Sequence, residues 1–365
     1  MLNPSRLVLA RKRRRMTLMK LEQLSGVSVR SITAFENGHK EPSAESLKAL
    51  AHALGFSVEF LEADSTLEIP AERASFRARS KMTALDRDAA LAAGSIAVEL
   101  NRWLEVRFKL PDPALPTLSN ETPEEAAERV RALWGLGEAP VPNMVHLLES
   151  KGVRVFSLPI DCTEVDAFSM NGDNATPFIF LNIKKSGERG RFDAAHELGH
   201  LVLHSDHKIP HGQDAEIEAQ QFASAFLMPR SGIIAQSLHN ATIPRLLSAK
   251  RKWGVAAMAM AYRLHDLGLL TEWGYRSTAK QLSQMGYRSA EPGGIEREGS
   301  QLLTKAFSAM RSQKIPVSQM AEDLFLDVEA LNSYAFNLAP IALNGGQQST
   351  APLRPALRLV KSVGR

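Results

Sequence analysis

The chain holds one cysteine in 365 residues, Cys162, so it cannot build a disulfide framework, and a stapled extracellular scaffold is excluded. It also lacks any apolar run of about eighteen residues, so no segment reads as a membrane span. No secretory leader is legible: a short apolar stretch precedes the basic run Arg11–Arg15, the reverse of leader order, and no small-residue cleavage site follows. Repeats of fixed period are absent. These absences point to a cytoplasmic protein with no membrane partner, and to Cys162 as a plain buried or semi-exposed thiol. What remains is ordinary globular composition, 44% hydrophobic and 23% charged, with length enough for two or three cores.

The net charge of +4 is placed unevenly. Residues 1–62 carry ten Lys and Arg against six Asp and Glu, and the rest of the chain carries thirty-four of each sign. Excess positive charge confined to one small N-terminal region is the footprint expected where a domain meets phosphate.

That region reads as short helices. Ser5–Arg14 is helical by pattern, Thr17 caps a second helix that Gly26 ends, Ser28 caps a third closed by Gly38, and Pro42-Ser43 opens a fourth with Leu47, Leu50, Ala51 and Leu54 on one face. Leu21, Val27, Ile32 and Phe35 are spaced to form the wedge between two helices crossing a tight turn. Val29, Arg30 and Thr33 would then face outward near a helix N-terminus, where side chains reach base edges, with Thr17 and Ser28 beside them. Arg13 and Arg14, in the basic run, are expected on phosphate. The segment closely resembles the Cro/phage-repressor (XRE-type) helix-turn-helix family, with Leu18 where that family usually has Gln and Glu22 where it usually has Ala. The resemblance implies double-stranded DNA as partner, and half-site logic implies a homodimer.

Further along, helical spacing covers 85–108, a Pro-rich connection holds Pro111, Pro113 and Pro116, and Thr122-Pro123-Glu124-Glu125 is a capping box starting a helix that stops near Gly135. Asn143–Lys151 is helical and Gly152 ends it. Val153–Phe156 and Pro177–Leu181 read as strands, followed by helices over 192–204, 214–228 and 255–267.

The strongest chemical signal is His196-Glu197-Leu198-Gly199-His200. Histidines at i and i+4 lie on one helix face, one turn apart, and can meet one tetrahedral cation, while Glu197 stands beside them, placed to take a proton from water. Leu203 and Asp206 occupy the positions where a metzincin has Gly and His, so that class fails. A gluzincin-type arrangement needs a Glu on a following helix, and the next one offers Glu216 and Glu218; without a third ligand the segment is a helix that merely carries two histidines. Glu218 borders the inward row of Ala219, Phe222, Ala223 and Phe226 and is the better placed. His204, a turn beyond His200, suits a supporting role, because a catalytic zinc keeps one position open. His207 and His211 read as solvated, and for an oxyanion stabiliser only Tyr262 and His265 suggest themselves.

Arg191-Phe192, Ala195–His200, His204 and Glu218-Ala219 with Phe222-Ala223 and Leu227-Met228-Pro229 resemble the ImmA/IrrE metallopeptidases over residues 140–270. The strand ending Phe180-Leu181-Asn182 resembles that family's substrate-side strand. The resemblance implies a zincin fold, zinc on His196, His200 and Glu218, Glu197 as general base, and an HTH repressor-like regulatory protein as substrate. A non-catalytic transcription factor or an antitoxin, sensing a ligand or partner through a zincin-like domain, is the other reading.

The expected architecture is multidomain, mainly α with a smaller α+β part. It comprises an N-terminal five-helix HTH bundle (1–62), a helical linker region (63–139), a zincin-like α+β metallopeptidase domain (140–272) and a small helical C-terminal region with a flexible basic tail (273–365). Leu302–Met310, Pro316–Leu324 and Val328–Tyr334 suggest three C-terminal helices that faintly resemble a second helix-turn-helix. Because the turn has no glycine, a helical cap or dimerisation element is the reading adopted.

Overall fold

A computed structural model describes residues 1–64, 69, 82–159, 161–162, 164–172, 175–204 and 212–338, together with the backbone of 74–78. His207, His211 and the basic tail lie outside the described residues.

The N-terminal bundle is α1 (Pro4–Arg13), α2 (Leu18–Ser25), α3 (Val29–Glu36), α4 (Ala44–Leu54) and α5 (Val58–Glu62). Side chains of Asn3, Thr17, Ser28, Ser43 and Ser57 each accept a backbone N–H at the start of their helix, so every N-terminus here is locally encoded. Gly26, at φ 71°, makes the turn between α2 and α3, a conformation that favours glycine. Leu7, Leu21, Ile32, Phe35, Leu50 and Phe60 form the core.

The chain then forms β1 (Ala74–Ala78) and the long helix α6 (Ala84–Arg107), followed by α7 (Pro123–Leu133), α8 (Met144–Ser150), β2 (Arg154–Leu158), β3 (Val165–Asn171) and β4 (Pro177–Asn182). The α7 capping box forms as its sequence dictates. Helices α9 (Gly187–Leu203), α10 (Gln213–Leu227), α11 (Arg230–Ile234), α12 (Ile243–Trp253), α13 (Ala257–Asp266) and α14 (Glu272–Gln284) complete this part, and α15 (Gln301–Ser312), α16 (Val317–Asp323) and α17 (Val328–Tyr334) end it.

The sheet has the order β1-β3-β4-β2, antiparallel except for β2 against β4. Both of its faces are covered. Phe156, Phe168, Phe178 and Phe180 fill the face under α6, the N-terminal bundle and the C-terminal helices, and Phe168 stacks on Phe180 at 4.3 Å. Val155, Ala167, Ile179 and Leu181 fill the other, under α9 and its neighbours. A sheet buried on both faces shows no apolar–polar alternation. Because β4 is paired on both edges, it offers no free edge to a substrate, which corrects the expectation for Phe180-Leu181-Asn182. β1 and β3 were not expected as strands at all.

The C-terminal helices repeat the N-terminal turn geometry at a constant spacing. Positive φ falls at Arg15, Gly26 and Gly38, and again at Lys314, Phe325 and Asn337, each pair 299 residues apart. The N-cap positions Thr17 and Ser28 correspond in the same way to Pro316 and Asp327. Leu21, Ile32 and Phe35 are matched by the buried Met320, Leu331 and Tyr334. The faint likeness in sequence is therefore a full likeness in backbone, with Phe325 adopting the left-handed turn in place of glycine. Its second helix is not presented to solvent as α3 is. Asn332 is buried, the Ser157 hydroxyl donates to the Ser333 carbonyl, and Glu329 stands where α3 has Arg30.

Glu149, at the end of α8, ties this unit down by accepting from the N–H groups of Gln301 and Leu302, both at 2.9 Å, and from the Ser300 hydroxyl. Burial pushes its carboxyl up to about 7 despite those donors. A folded-state value above the unfolded one stabilises at low pH, and that contribution is lost as pH rises through about 7. Denaturant unfolding at pH 5 and pH 8 should therefore show the wild type losing on the order of 2–3 kcal/mol more than Glu149→Gln over that interval. Equal losses would contradict the assignment.

Candidate metal centre and DNA-reading face

Helix α9 starts earlier than its sequence suggested, on the Ser186 cap, and is buried along most of its length. His196, Glu197 and His200 project from one stretch of it and are all buried. Gly199, between them, has no side chain to hold α10 away: a Cβ there would lie 3.2 Å from the Ala219 Cα and 3.1 Å from the Phe222 ring. At this close crossing Glu216, one turn before Ala219, is carried onto the two imidazoles.

The Nε2 atoms of His196 and His200 lie 3.1 Å apart, and the Glu216 carboxylate oxygens lie 3.3 Å and 3.2 Å from them. A tetrahedron around a cation with ligand bonds of about 2.0–2.1 Å has edges of roughly 3.3–3.4 Å. The carboxylate faces each imidazole with a different oxygen, Oε2 toward His196 and Oε1 toward His200, so the three side chains gather at spacings close to such an edge, and His/His/carboxylate is a donor set suited to a divalent ion. Burial opposes ionisation of Glu216, but the two imidazoles outweigh it and hold the carboxyl well below its ordinary range.

Glu218 is not part of this triangle. Its carboxylate meets His204 Nε2 at 2.8 Å, and His204 Nδ1 meets His200 Nδ1 at 3.1 Å. The expectation of Glu218 as third ligand is therefore corrected to Glu216. The inward row of α10 was read correctly from sequence, but both glutamates border it, and only the angle at which α10 crosses α9 decides between them. Glu218 instead anchors a chain through His204 that orients the His200 ring. His204 lies between His200 and Glu218, and burial lowers its pKa.

The Ser169 hydroxyl donates to Glu197 Oε2 at 2.7 Å, fixing the carboxylate that stands beside the triangle. Ser169 was missed because nothing in the sequence marks it; it becomes meaningful only when β3 is placed under α9. A cleft of about 450 Å³ is lined by Phe192 and Asp193, which precede His196 on α9, and by Ser224, Met258 and Tyr262 among others; His196, Glu197, His200 and Glu216 do not line it. Lys185 bridges Asp166 and Asp193 in its wall at 2.7 and 2.8 Å. Of the two residues suggested for oxyanion stabilisation, Tyr262 lines this cleft, whereas His265 is paired with Glu272 and stacked on Tyr275. Cys162 is buried, which pushes its thiol up to about 11 and leaves it without thiolate reactivity.

On the N-terminal bundle, Thr17, Ser28, Arg30 and Thr33 are exposed and Val29 is half-buried, so these five share the outward surface of the α2–α3 pair. Glu22 accepts from the Val29 N–H at 3.0 Å, making the departure from family pattern a cap on α3. Arg13 and Arg14 are corrected. Arg13 is buried, with both Nη atoms on Asp161 at 2.8 and 2.9 Å and Nε donating to the Tyr334 hydroxyl at 3.0 Å. Arg14 donates to the Leu54 and Gly55 carbonyls and lies over the Phe56 ring. Arg11 grips Glu36, and Arg15 meets Asp86. α1 ends at Arg13, with Arg14 as its cap and Arg15 beyond, and four of the five basic side chains, Arg11, Arg13, Arg14 and Arg15, are engaged by partners within the protein.

Comparison with known families agrees with both halves. Residues 7–61 match the helix-turn-helix family, and residues 148–265 match the IrrE N-terminal-like domain. No curated protein matches the chain.

Two outcomes are expected. In chelator competition with zinc, Glu216→Ala lowers affinity far more than Glu218→Ala, whose effect through His204 is about ten- to a hundred-fold; the opposite order would restore Glu218 as ligand. In DNA-binding titrations against salt, Arg30→Ala costs about 1–3 kcal/mol at its target site. Arg13→Met leaves the salt slope unchanged and lowers folding stability instead, and a reduced slope for it would reinstate a phosphate contact.

Proposed function

We propose that this chain, which joins an XRE-type helix-turn-helix domain to an IrrE/ImmA-like domain, is a DNA-binding transcriptional regulator that is also a zinc-dependent endopeptidase. Its substrate in this reading is a regulatory protein of HTH repressor type, and it reads DNA as a homodimer. The observation that carries the enzymatic half is the triangle of His196, His200 and Glu216 with Glu197 alongside.

His196, His200 and Glu216 would hold the cation. When bound, it supplies Lewis acidity and makes water acidic enough to be deprotonated near neutral pH. Glu197 would take a proton from water as its oxygen bonds to the peptide carbonyl carbon, and would pass that proton to the amide nitrogen as the C–N bond breaks, the usual two-way service of a general base. Ser169 holds Glu197 in place for this through its hydroxyl. Glu218 and His204 keep the His200 ring turned so that Nε2 faces the centre. A carboxylate in the Glu197 position is not needed to bind a cation or to read DNA, so its presence favours retained hydrolysis over a purely sensory domain.

Glu197→Gln tests this directly. Against a library of random decapeptides followed by mass spectrometry, the zinc-loaded wild type should cleave, and the variant should lose at least about a hundred-fold in rate. Zinc content and DNA affinity should stay the same. Equal behaviour of the two proteins in cleavage and in a reporter of regulation would replace the peptidase with a ligand- or partner-sensing regulator.

A further inference from the structure

The 450 Å³ cleft lies between three helices, with Phe192 and Asp193 on α9, Gln220 and Ser224 on α10, and Met258 and Tyr262 on α13. Phe192 and Asp193 stand one turn before His196 and Glu197, and Gln220 stands one turn after Glu216, so the cleft follows the metal triangle along the same helix pair. Its walls differ in kind. One is apolar, built from Phe192, Ala256, Met258, Ala259 and Tyr262. The other carries Lys185 between Asp166 and Asp193, with side chains 12%, 16% and 4% exposed. Two carboxylates around one ammonium leave that wall with an excess of negative charge where little water screens it. Over the whole lining three carboxylates face two cations, and one of these, Arg189, is exposed and donates to the Arg288 carbonyl. Glu188 and Ser224 line the cleft too. Both are buried, and Glu188 Oε2 and Ser224 Oγ have no hydrogen-bond partner. The other Glu188 oxygen accepts from Lys250 Nζ and the Ile295 N–H at 3.1 and 3.0 Å. A buried polar atom without a partner is costly, and one that lines a cleft is a place for a ligand group to bond.

We propose that this cleft binds an organic cation, an ammonium or guanidinium group held at the Asp166–Lys185–Asp193 wall on an apolar stem packed against Phe192 and Met258. The sign of the head group follows from the charge: Lys185 already serves two carboxylates, a second cation completes a two-and-two set, and an anion would meet the excess. The N–H groups of such a head also suit Ser224 Oγ, which can accept from them. The stem follows from the opposite wall, which offers a bare metal ion nothing. The volume holds a small organic molecule or one long side chain. Two sources supply this chemistry, a free amine and a lysine or arginine side chain of a peptide. Only the second bears on the peptidase reading above; the site itself does not rest on it.

The test is isothermal titration calorimetry on the full chain without zinc, with two matched pairs of probes. Hexylamine is compared with 1-hexanol, and N-acetyl-lysine N-methylamide with the norleucine compound of the same length. In at least one pair the cation should bind about ten-fold or more tightly than its neutral partner. The pair that shows the preference names the source. In Asp166→Asn the preference should fall below about three-fold, and Ser224→Ala should weaken the preferred cation by about three- to ten-fold. If neither cation outbinds its neutral partner, the proposal is overturned. It is also overturned if affinity and preference are unchanged in both folded variants, since the cation would then sit elsewhere. Should Asp166→Asn not fold, Ser224→Ala decides alone, and wild-type affinity in it overturns the proposal. A cleft that prefers the lysine compound in a protein that cleaves no peptide would sink the peptidase reading and keep the site.

Discussion

Everything at the centre depends on how closely α10 approaches α9. The i, i+4 spacing of His196 and His200 is a property of any helix, and it brings two imidazoles together without outside help. A third donor has to arrive from another element, and it does so because Gly199 and Ala219 let two helix backbones come nearly into contact. A side chain at position 199 would press on the Ala219 backbone and the Phe222 ring and require α10 to give by a few tenths of an ångström. Once the crossing is set, the remaining groups take positions around it: Ser169 below on the sheet against Glu197, and His204 with Glu218 behind His200.

The sheet is shared between the two halves of the molecule. Its phenylalanine face supports α6, the N-terminal bundle and the C-terminal helices, and its other face supports α9. The two halves therefore do not behave as beads on a string. Arg13 shows the coupling at the level of one side chain, joining α1 to Asp161 before β3 and to Tyr334 of α17. The C-terminal unit, built on the same turn geometry as α2 and α3, packs its second helix against β2. A helix-turn-helix backbone is thus present twice, once with its outward face open to solvent and once as a packing element.

Much of this is legible in the amino-acid sequence, and what is legible has a physical cause. Helix starts such as Thr17, Ser28 and Thr122 are set by a side chain and the backbone three residues on, so sequence suffices. The His196–His200 pair is equally local. Choices that turn on how two elements meet were not legible. Glu216 and Glu218 differ by two positions on one helix, and only the helix crossing separates them. Arg13 and Arg14 read as a charged face until the elements covering α1 are known. β3 was invisible because Asp166, Ser169 and Asn171 interrupt it with polar residues whose reason lies in partners elsewhere. β1 was invisible because its pairing is wholly non-local. At Phe325 the rule that a left-handed turn asks for glycine was outweighed by the packing of α16 and α17.

The most direct measurement is anomalous diffraction at the zinc edge from crystals of the full chain grown with zinc. The account predicts one strong peak bonded at about 2.0–2.1 Å to Nε2 of His196, Nε2 of His200 and a carboxylate oxygen of Glu216, with Glu197 and Glu218 outside bonding distance. A peak ligated by Glu218 in place of Glu216, or no peak at the two histidines, would contradict it.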